Sequence, residues 1–157
     1  MPARYQGGHL VLKINFLNGR LFNRLLHLDG RAEYSAEQGK ILSALWLDSP
    51  RTIANISAIT GLAKSTLTSM LKRLEDQGHI TITSSPDDAR VKLVGLTQRG
   101  KDQEKIGNAV SKQLAEQFYK GFTDEEKDQL DQLLLRVEAN LNEGLNTVGC
   151  APRKGEE

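Results

Sequence analysis

Leu10, Ile14, Leu17, Leu21, Leu25 and Leu28 recur at steps of three and four, which predicts one long amphipathic helix over residues 9–28. Phe16, Phe22 and Leu26 lie off that stripe and widen it. A helix apolar over so much of its circumference needs more than one neighbour. The stretch "SAEQGKILSALWL" reads as a second helix: Ser35 and Gln38 stand at capping-box spacing, Ile41, Leu42, Leu45 and Trp46 form the buried face, and Pro50 cannot continue it. At the other end of the chain, Ile106, Val110, Leu114 and Phe118 mark one helix. A capping box at Thr123 and Glu126 then opens another, carrying Leu130, Leu134, Val137, Leu141 and Leu145. The near-heptad spacing of these last two stripes suits shallow packing against long partners. Residues 147–157, "TVGCAPRKGEE" from Thr147 onward, have no periodic pattern and are expected to be a disordered tail.

Between the long helices the period changes. Thr52 is a plausible N-cap for a short helix with Ile53, Ile56 and Ile59, and Gly61 supplies a tight turn. A second helix over about 63–77 carries Leu67, Met70, Leu71 and Leu74 at i, i+3, i+4 and i+7 and stops at Gly78. Two short helices joined by such a turn form a helix-turn-helix. Then "ITIT" and "VKLVGL" alternate polar with β-branched or apolar residues, as two half-buried strands do. Their connection, Ser84 to Arg90, is longer than a simple reversal requires. A helix-turn-helix followed by such a hairpin is a winged helix. The expected fold is therefore mainly α with a small β-hairpin wing.

A chain of 157 residues suits a single domain. Its net charge of +1 points to no partner, but the distribution is uneven. Residues 50–100 hold seven basic and four acidic side chains, against eight and twelve in 101–157. A basic middle on an otherwise neutral scaffold fits nucleic-acid binding. Cys150 is the one cysteine, so no disulfide framework exists within the chain. With no apolar leader and no membrane-length apolar run, a cytoplasmic protein without membrane partners is expected.

The candidate chemistry lies on the polar face of the helix at 63–77. Opposite its apolar stripe stand Ser65, Ser69 and Lys72, flanked by Thr66, Thr68 and Arg73, with Lys64 in the first turn. Short hydroxyls approach base edges closely, and Lys and Arg reach phosphates or guanine, which is what a major-groove helix needs. The same residues are ordinary on a solvated face, so the hairpin decides between the readings. Arg90 at its tip suits the negative potential of a narrow minor groove, and Asp88 is placed to hold the guanidinium.

"GLAKSTLTSMLKRLEDQGHI" followed by "PDDARVKLVGLTQRG" resembles the MarR (multiple antibiotic resistance regulator) family of winged-helix transcription factors, with agreeing helix order over residues 9–146. The Asp-x-Arg wing, the Leu-Thr-x-x-Gly after the second wing strand and the spacing between them carry the resemblance. It implies a single MarR-like domain over 1–157: dimerisation helices at 9–34 and 101–146 around a DNA-binding region at 35–100. It also implies a homodimer on a palindromic operator in double-stranded DNA, usually a repressor released by a small ligand. Ser65, Thr66, Ser69 and Lys72 then face the major groove and Arg90 enters the minor groove. Two departures stand out: Ala63 occupies a position often held by a capping Ser, and "TITSS" lacks the basic residues common there.

The apolar terminal helices are explained by an interlocked dimer or by a monomeric bundle. Trp46, Phe16 and Phe22 are candidate walls for a small apolar or aromatic effector, and equally serve as plain core. His9, His27 and His79 are widely spaced with no ligand cluster, so neither a metal nor another cofactor is expected. No nucleophile, base and orienting group converge, which argues against an enzyme. The rival function is a winged helix used for protein contact. Such a surface requires apolar anchors where this chain has Ser, Thr, Lys and Arg.

Overall fold

The computed structural model describes residues 4–149. Its elements in order are α1 (Gly7–Asp29), α2 (Ala36–Leu47), β1 (Arg51–Thr52), α3 (Ile53–Thr60), α4 (Lys64–Asp76), β2 (Ile80–Ser84), β3 (Lys92–Leu96), α5 (Gln98–Asp102), α6 (Glu104–Phe118) and α7 (Asp124–Gly149). The mainly helical winged fold expected from the sequence is what forms. The chain divides into two compact units, one ending at Phe118 and the next beginning at Tyr119.

In the first unit, α1, α2, α3, α4 and α6 surround one core of Leu26, Ile41, Leu42, Leu45, Ile56, Leu67, Leu71, Leu74, Ile80, Val94 and Val110, joined by Tyr34. The capping box at α2 forms in both directions: the Gln38 N–H donates to Ser35 Oγ, and the Ser35 N–H donates to Gln38 Oε1. Thr52 caps α3 by accepting from the Asn55 N–H, and Gly61 ends it at φ 71°, a left-handed conformation costly to any residue with a Cβ. Among α1 residues only Leu26 is buried; Leu10, Ile14, Phe16 and Leu17 are exposed.

The wing is a three-stranded antiparallel sheet in the order β1-β3-β2, not a bare hairpin. Strand β1 pairs Arg51 with Val94 and Thr52 with Leu93. At two residues it is too short to show a period in sequence.

The second unit begins with an edge-to-face pair, Tyr119 and Phe122, and enters α7 through the capping box of Thr123 and Glu126. The Tyr119 hydroxyl donates to the Asp131 carboxylate. Helix α7 buries none of its residues, leaving Leu134, Val137, Leu141 and Leu145 exposed. It also continues through Thr147 to Gly149, where the sequence suggested a tail; the rest of that expectation, Cys150 included, lies outside the described residues.

The wing returns to the helical core at a tight corner. Thr97 caps α5 by accepting from the Gly100 N–H, while its hydroxyl donates to the Gly78 carbonyl at 2.6 Å. A Cβ on Gly100 would lie 2.1 Å from the His79 carbonyl oxygen, which is backbone and cannot swing aside. This explains the glycine of the Leu-Thr-x-x-Gly run through close approach rather than through φ. Gly100→Ala is expected to destabilise the fold by about 2 kcal/mol and lower its melting midpoint by roughly 4–8 °C. Thermal denaturation checks this; an unchanged midpoint would mean that the corner relaxes freely.

Candidate nucleic-acid interface

Three side chains set the rotation of α4. Leu67, Leu71 and Leu74 are buried and Met70 is half-buried, so the opposite face must point outward. Lys64, Ser65, Thr66, Thr68, Ser69, Lys72 and Arg73 are all exposed. Two of them already have partners: Thr68 Oγ1 donates to the Lys64 carbonyl at 2.8 Å, and Lys72 Nζ lies 3.7 Å from the Asp76 carboxylate. Ala63 at the N-cap supplies no side-chain acceptor, so the first-turn N–H groups of α4 stay open to an external oxygen.

The hairpin tip is built around Asp88. One of its carboxylate oxygens accepts from Arg90 Nε at 3.1 Å and from the Arg90 N–H at 3.0 Å, and the other from Arg90 Nη2 at 3.2 Å. The fork-to-fork pairing leaves the guanidinium outward, with the Arg90 side chain 91% exposed. Such an exposed pair adds little to folding stability. Its effect is to restrict the directions in which the arginine points. The Arg90 hydrogen bonds hold the Asp88 carboxyl below the usual aspartate range.

Helix and wing meet in a groove of about 500 Å³ lined by Thr52, Ser57, Lys64, Thr68, Arg90 and Lys92, among others. Lys92, Thr52 and Ser57 are additions to the residues anticipated from sequence. Lys92 sits at the start of β3, where its Nζ donates to Ser84 Oγ at 2.9 Å. Its alternation with Val91 and Leu93 marked it in sequence as outward-facing on the strand, but not as a groove wall.

A separate crevice of about 190 Å³ opens among α1, α2 and α6, with Asn15, Phe22, Tyr34, Lys40, Trp46 and Leu114 in its walls. Phe22 and Trp46 thus come together in its walls. Phe16 does not join them: it is 56% exposed and lines a shallow surface patch with His9 and Leu12. Trp46 is fixed by its Nε1–H donating to the Gly100 carbonyl at 2.9 Å and by an edge-on contact with Tyr34. Among the described residues the Tyr34 hydroxyl has no hydrogen-bond partner. Burial first, and then the nearby Asp29 charge, push its pKa up to about 12. Among the described residues no group of three or more His, Cys, Asp or Glu is placed to hold a metal ion. No described helix is long and apolar enough to cross a membrane.

A hydroxyl-rich helix projecting from a helix-turn-helix beside an arginine-tipped wing defines a winged-helix protein. The MarR family model matches residues 34–92. SarZ, a transcriptional regulator of Staphylococcus saprophyticus, is 35% identical over 78 residues, a match spanning 50% of this chain and 53% of SarZ. The chain thus spans about half the length of that relative. The transcriptional repressor IacR of Pseudomonas putida is 27% identical over 133 residues, covering 76% of this chain and 78% of IacR. Among solved structures, a mutant of Escherichia coli MarR complexed with operator DNA superimposes with a TM-score of 0.74 and 27% identity, covering 83% of this chain and 91% of that one. PcaV of Streptomyces coelicolor, at TM-score 0.76 and 22% identity over 88% of this chain and 98% of its own, shares the fold. The winged-helix region thus matches the MarR family model, and the fold as a whole is that of the MarR structures.

The wing pairing gives a pH prediction. Because Arg90 depresses the folded-state pKa of Asp88, ordering of the tip is fully present above the ordinary aspartate value and is lost as pH falls through the depressed one. Carboxyl NMR titration should place Asp88 below a free aspartate and return it to the ordinary range in Arg90→Gln. No change on substitution would mean that the pair does not form in solution.

Proposed function

We propose that the protein is a dimeric repressor that binds a palindromic operator in double-stranded DNA and is released by a small apolar or aromatic effector. One observation carries the DNA-reading part: Lys64 and Thr68 of α4 and Arg90 and Lys92 of the wing line the same groove. A duplex seated there meets hydroxyls, cations and open N–H groups from two elements at once. Ser65, Thr66, Ser69 and Lys72 take the major groove, Arg73 and Lys64 the flanking phosphates, and Arg90, braced by Asp88, the adjacent minor groove.

The reading head spans residues 35–100, and the regions 9–34 and 101–146 supply the dimer contacts. The exposed Leu10, Ile14 and Leu17 of α1 support this reading, as do Leu134, Val137, Leu141 and Leu145 of α7. Exposed apolar stripes of this kind suit an interaction site. A palindrome follows from two-fold symmetry, each head reading one half-site about one helical turn from the other. The operator complex of the 27%-identical Escherichia coli relative supports the assignment. A protein of this kind works in the cytoplasm, where its DNA is.

The test is fluorescence anisotropy with a duplex enriched by the protein from a randomised library, repeated across salt. Affinity should fall well over tenfold from about 50 to 200 mM salt, since each neutralised phosphate contributes about −0.9 to the log–log slope. Arg90→Ala should cost about 1–3 kcal/mol and weaken the preference for A·T-rich flanks. A flat salt response would instead favour a protein-contact role.

For the effector, the crevice beside Phe22 and Trp46 is small, and about 190 Å³ suits a single ring rather than a drug-sized molecule. Trp46 is the only tryptophan, so its fluorescence reports on that crevice alone. Titration with benzoate and related single-ring acids should quench it and lower operator affinity by about 5–150-fold, with operator weakening ligand binding by the same factor. Equal ligand affinity with and without operator would show that binding there is not regulatory.

A further inference from the structure

One residue of the α1–α2 connection is held at three separate atoms. The Glu33 N–H donates to Gln103 Oε1 at 2.9 Å. Its carbonyl accepts from His79 Nε2 at 3.2 Å, and its carboxylate accepts from Arg99 Nε at 2.6 Å. A carbonyl only accepts, so His79 carries its proton on Nε2, and its buried Nδ1 has no partner among the described residues. His79 is fully buried and Gln103 nearly so, which makes both backbone contacts costly to break. Arg99 also donates from Nη1 to the Gln77 carbonyl at 3.0 Å, and Gln77 Oε1 accepts from Gln38 Nε2 at 2.9 Å.

These partners share a location. Gln77 is the C-cap of α4, His79 immediately precedes β2, and Arg99 lies in α5 just after β3. The grip therefore joins the rear of the reading helix and the base of the wing to the connection leaving α1. None of these three side chains belongs to the outward face of α4 or to the wing tip.

We infer that Glu33, through Arg99, is a positioning residue for operator binding: it sets the angle at which α4 and the wing are carried on α1, and so the separation of the two reading heads in a dimer. The inference rests on the operator-binding reading above. The Glu33 carboxyl is held below the usual range first by its hydrogen bond from Arg99. With side chains 57% and 42% exposed, the pair adds little to folding stability. Its loss should thus alter geometry more than stability.

The experiment uses the full chain and three probes: the duplex enriched from the library, one half-site of it, and the same duplex with its centre lengthened or shortened by one base pair. Glu33→Gln should keep the helical circular dichroism and the melting midpoint near wild type and leave half-site affinity within twofold. Full-site affinity should drop about fivefold or more, at the scale of ordinary couplings, and discrimination among the three spacings should shrink. Arg99→Gln should behave alike, and adding Glu33→Gln to it should cause no further loss, because the two act as one unit. Arg99→Lys, which keeps the charge but lacks the Nε donor, should fall on the Glu33→Gln side of each measurement and replaces it should that variant unfold. Unchanged full-site affinity and spacing preference in these variants would overturn the inference, as would an equal loss on the half-site, which would make the residues structural or DNA-contacting. A wild-type chain that enriches no duplex defeats the operator reading itself, whereas binding without these differences defeats only the role of Glu33.

Discussion

The rotation of α4 about its own axis governs the rest of the candidate DNA-reading surface. Leu67, Leu71 and Leu74 are buried against a core that includes Ile41, Ile56 and Val94. Each contributes roughly 2 kcal/mol of burial. Turning the helix by one residue, about 100°, would expose some of that surface and bury Ser or Lys in its place. No polar contact on the opposite face approaches that cost. The Thr68 back-bond and the Lys72–Asp76 pair are exposed local contacts. Hydroxyls and cations point outward because leucines point inward.

A helix held only along one stripe can still tilt. Its far end is restrained by a corner in which backbone, not side-chain bulk, is packed tightly. Gly78, His79, Thr97 and Gly100 lie so close that a single methyl group has no room at Gly100. A similar device recurs at Gly107, where an added Cβ would lie 2.5 Å from the Trp46 ring and 2.7 Å from the Tyr34 hydroxyl. In both places glycine removes a side chain so that a larger group can occupy a fixed position. The indole of Trp46 is then held by Gly107 on one side and by the Gly100 carbonyl on the other, so the crevice wall and the wing corner share an anchor.

What could be read from sequence was whatever repeats locally. Leu67, Met70, Leu71 and Leu74 give the phase of α4; Ser35 with Gln38 and Thr123 with Glu126 give helix starts; the alternation around Val94 gives a strand. Each is decided by residues within a few positions of one another. Strand β1 and helix α5 are too short for periodicity to register, so the third strand of the sheet was not anticipated. Phe16 illustrates a different limit. Periodicity cannot say which flank of a broadly apolar helix meets the core, and α1 turns Phe22 inward while leaving Phe16 outside. The partners of Glu33 lie 46, 66 and 70 positions away, beyond any local signal.

That separation bears on how such a protein transmits information. At the α1–α2 connection, buried, directional hydrogen bonds from Gln103 and His79 meet an exposed and replaceable ion pair with Arg99. Buried bonds of this kind favour discrete arrangements over continuous drift, because an intermediate position leaves a donor or acceptor unpaired. The exposed pair costs little to break and so is suited to bias one arrangement over another. Tyr34 follows Glu33 directly and forms a wall of the Phe22–Trp46 crevice. On the regulatory reading proposed above, a molecule entering that crevice presses on the residue next to the grip.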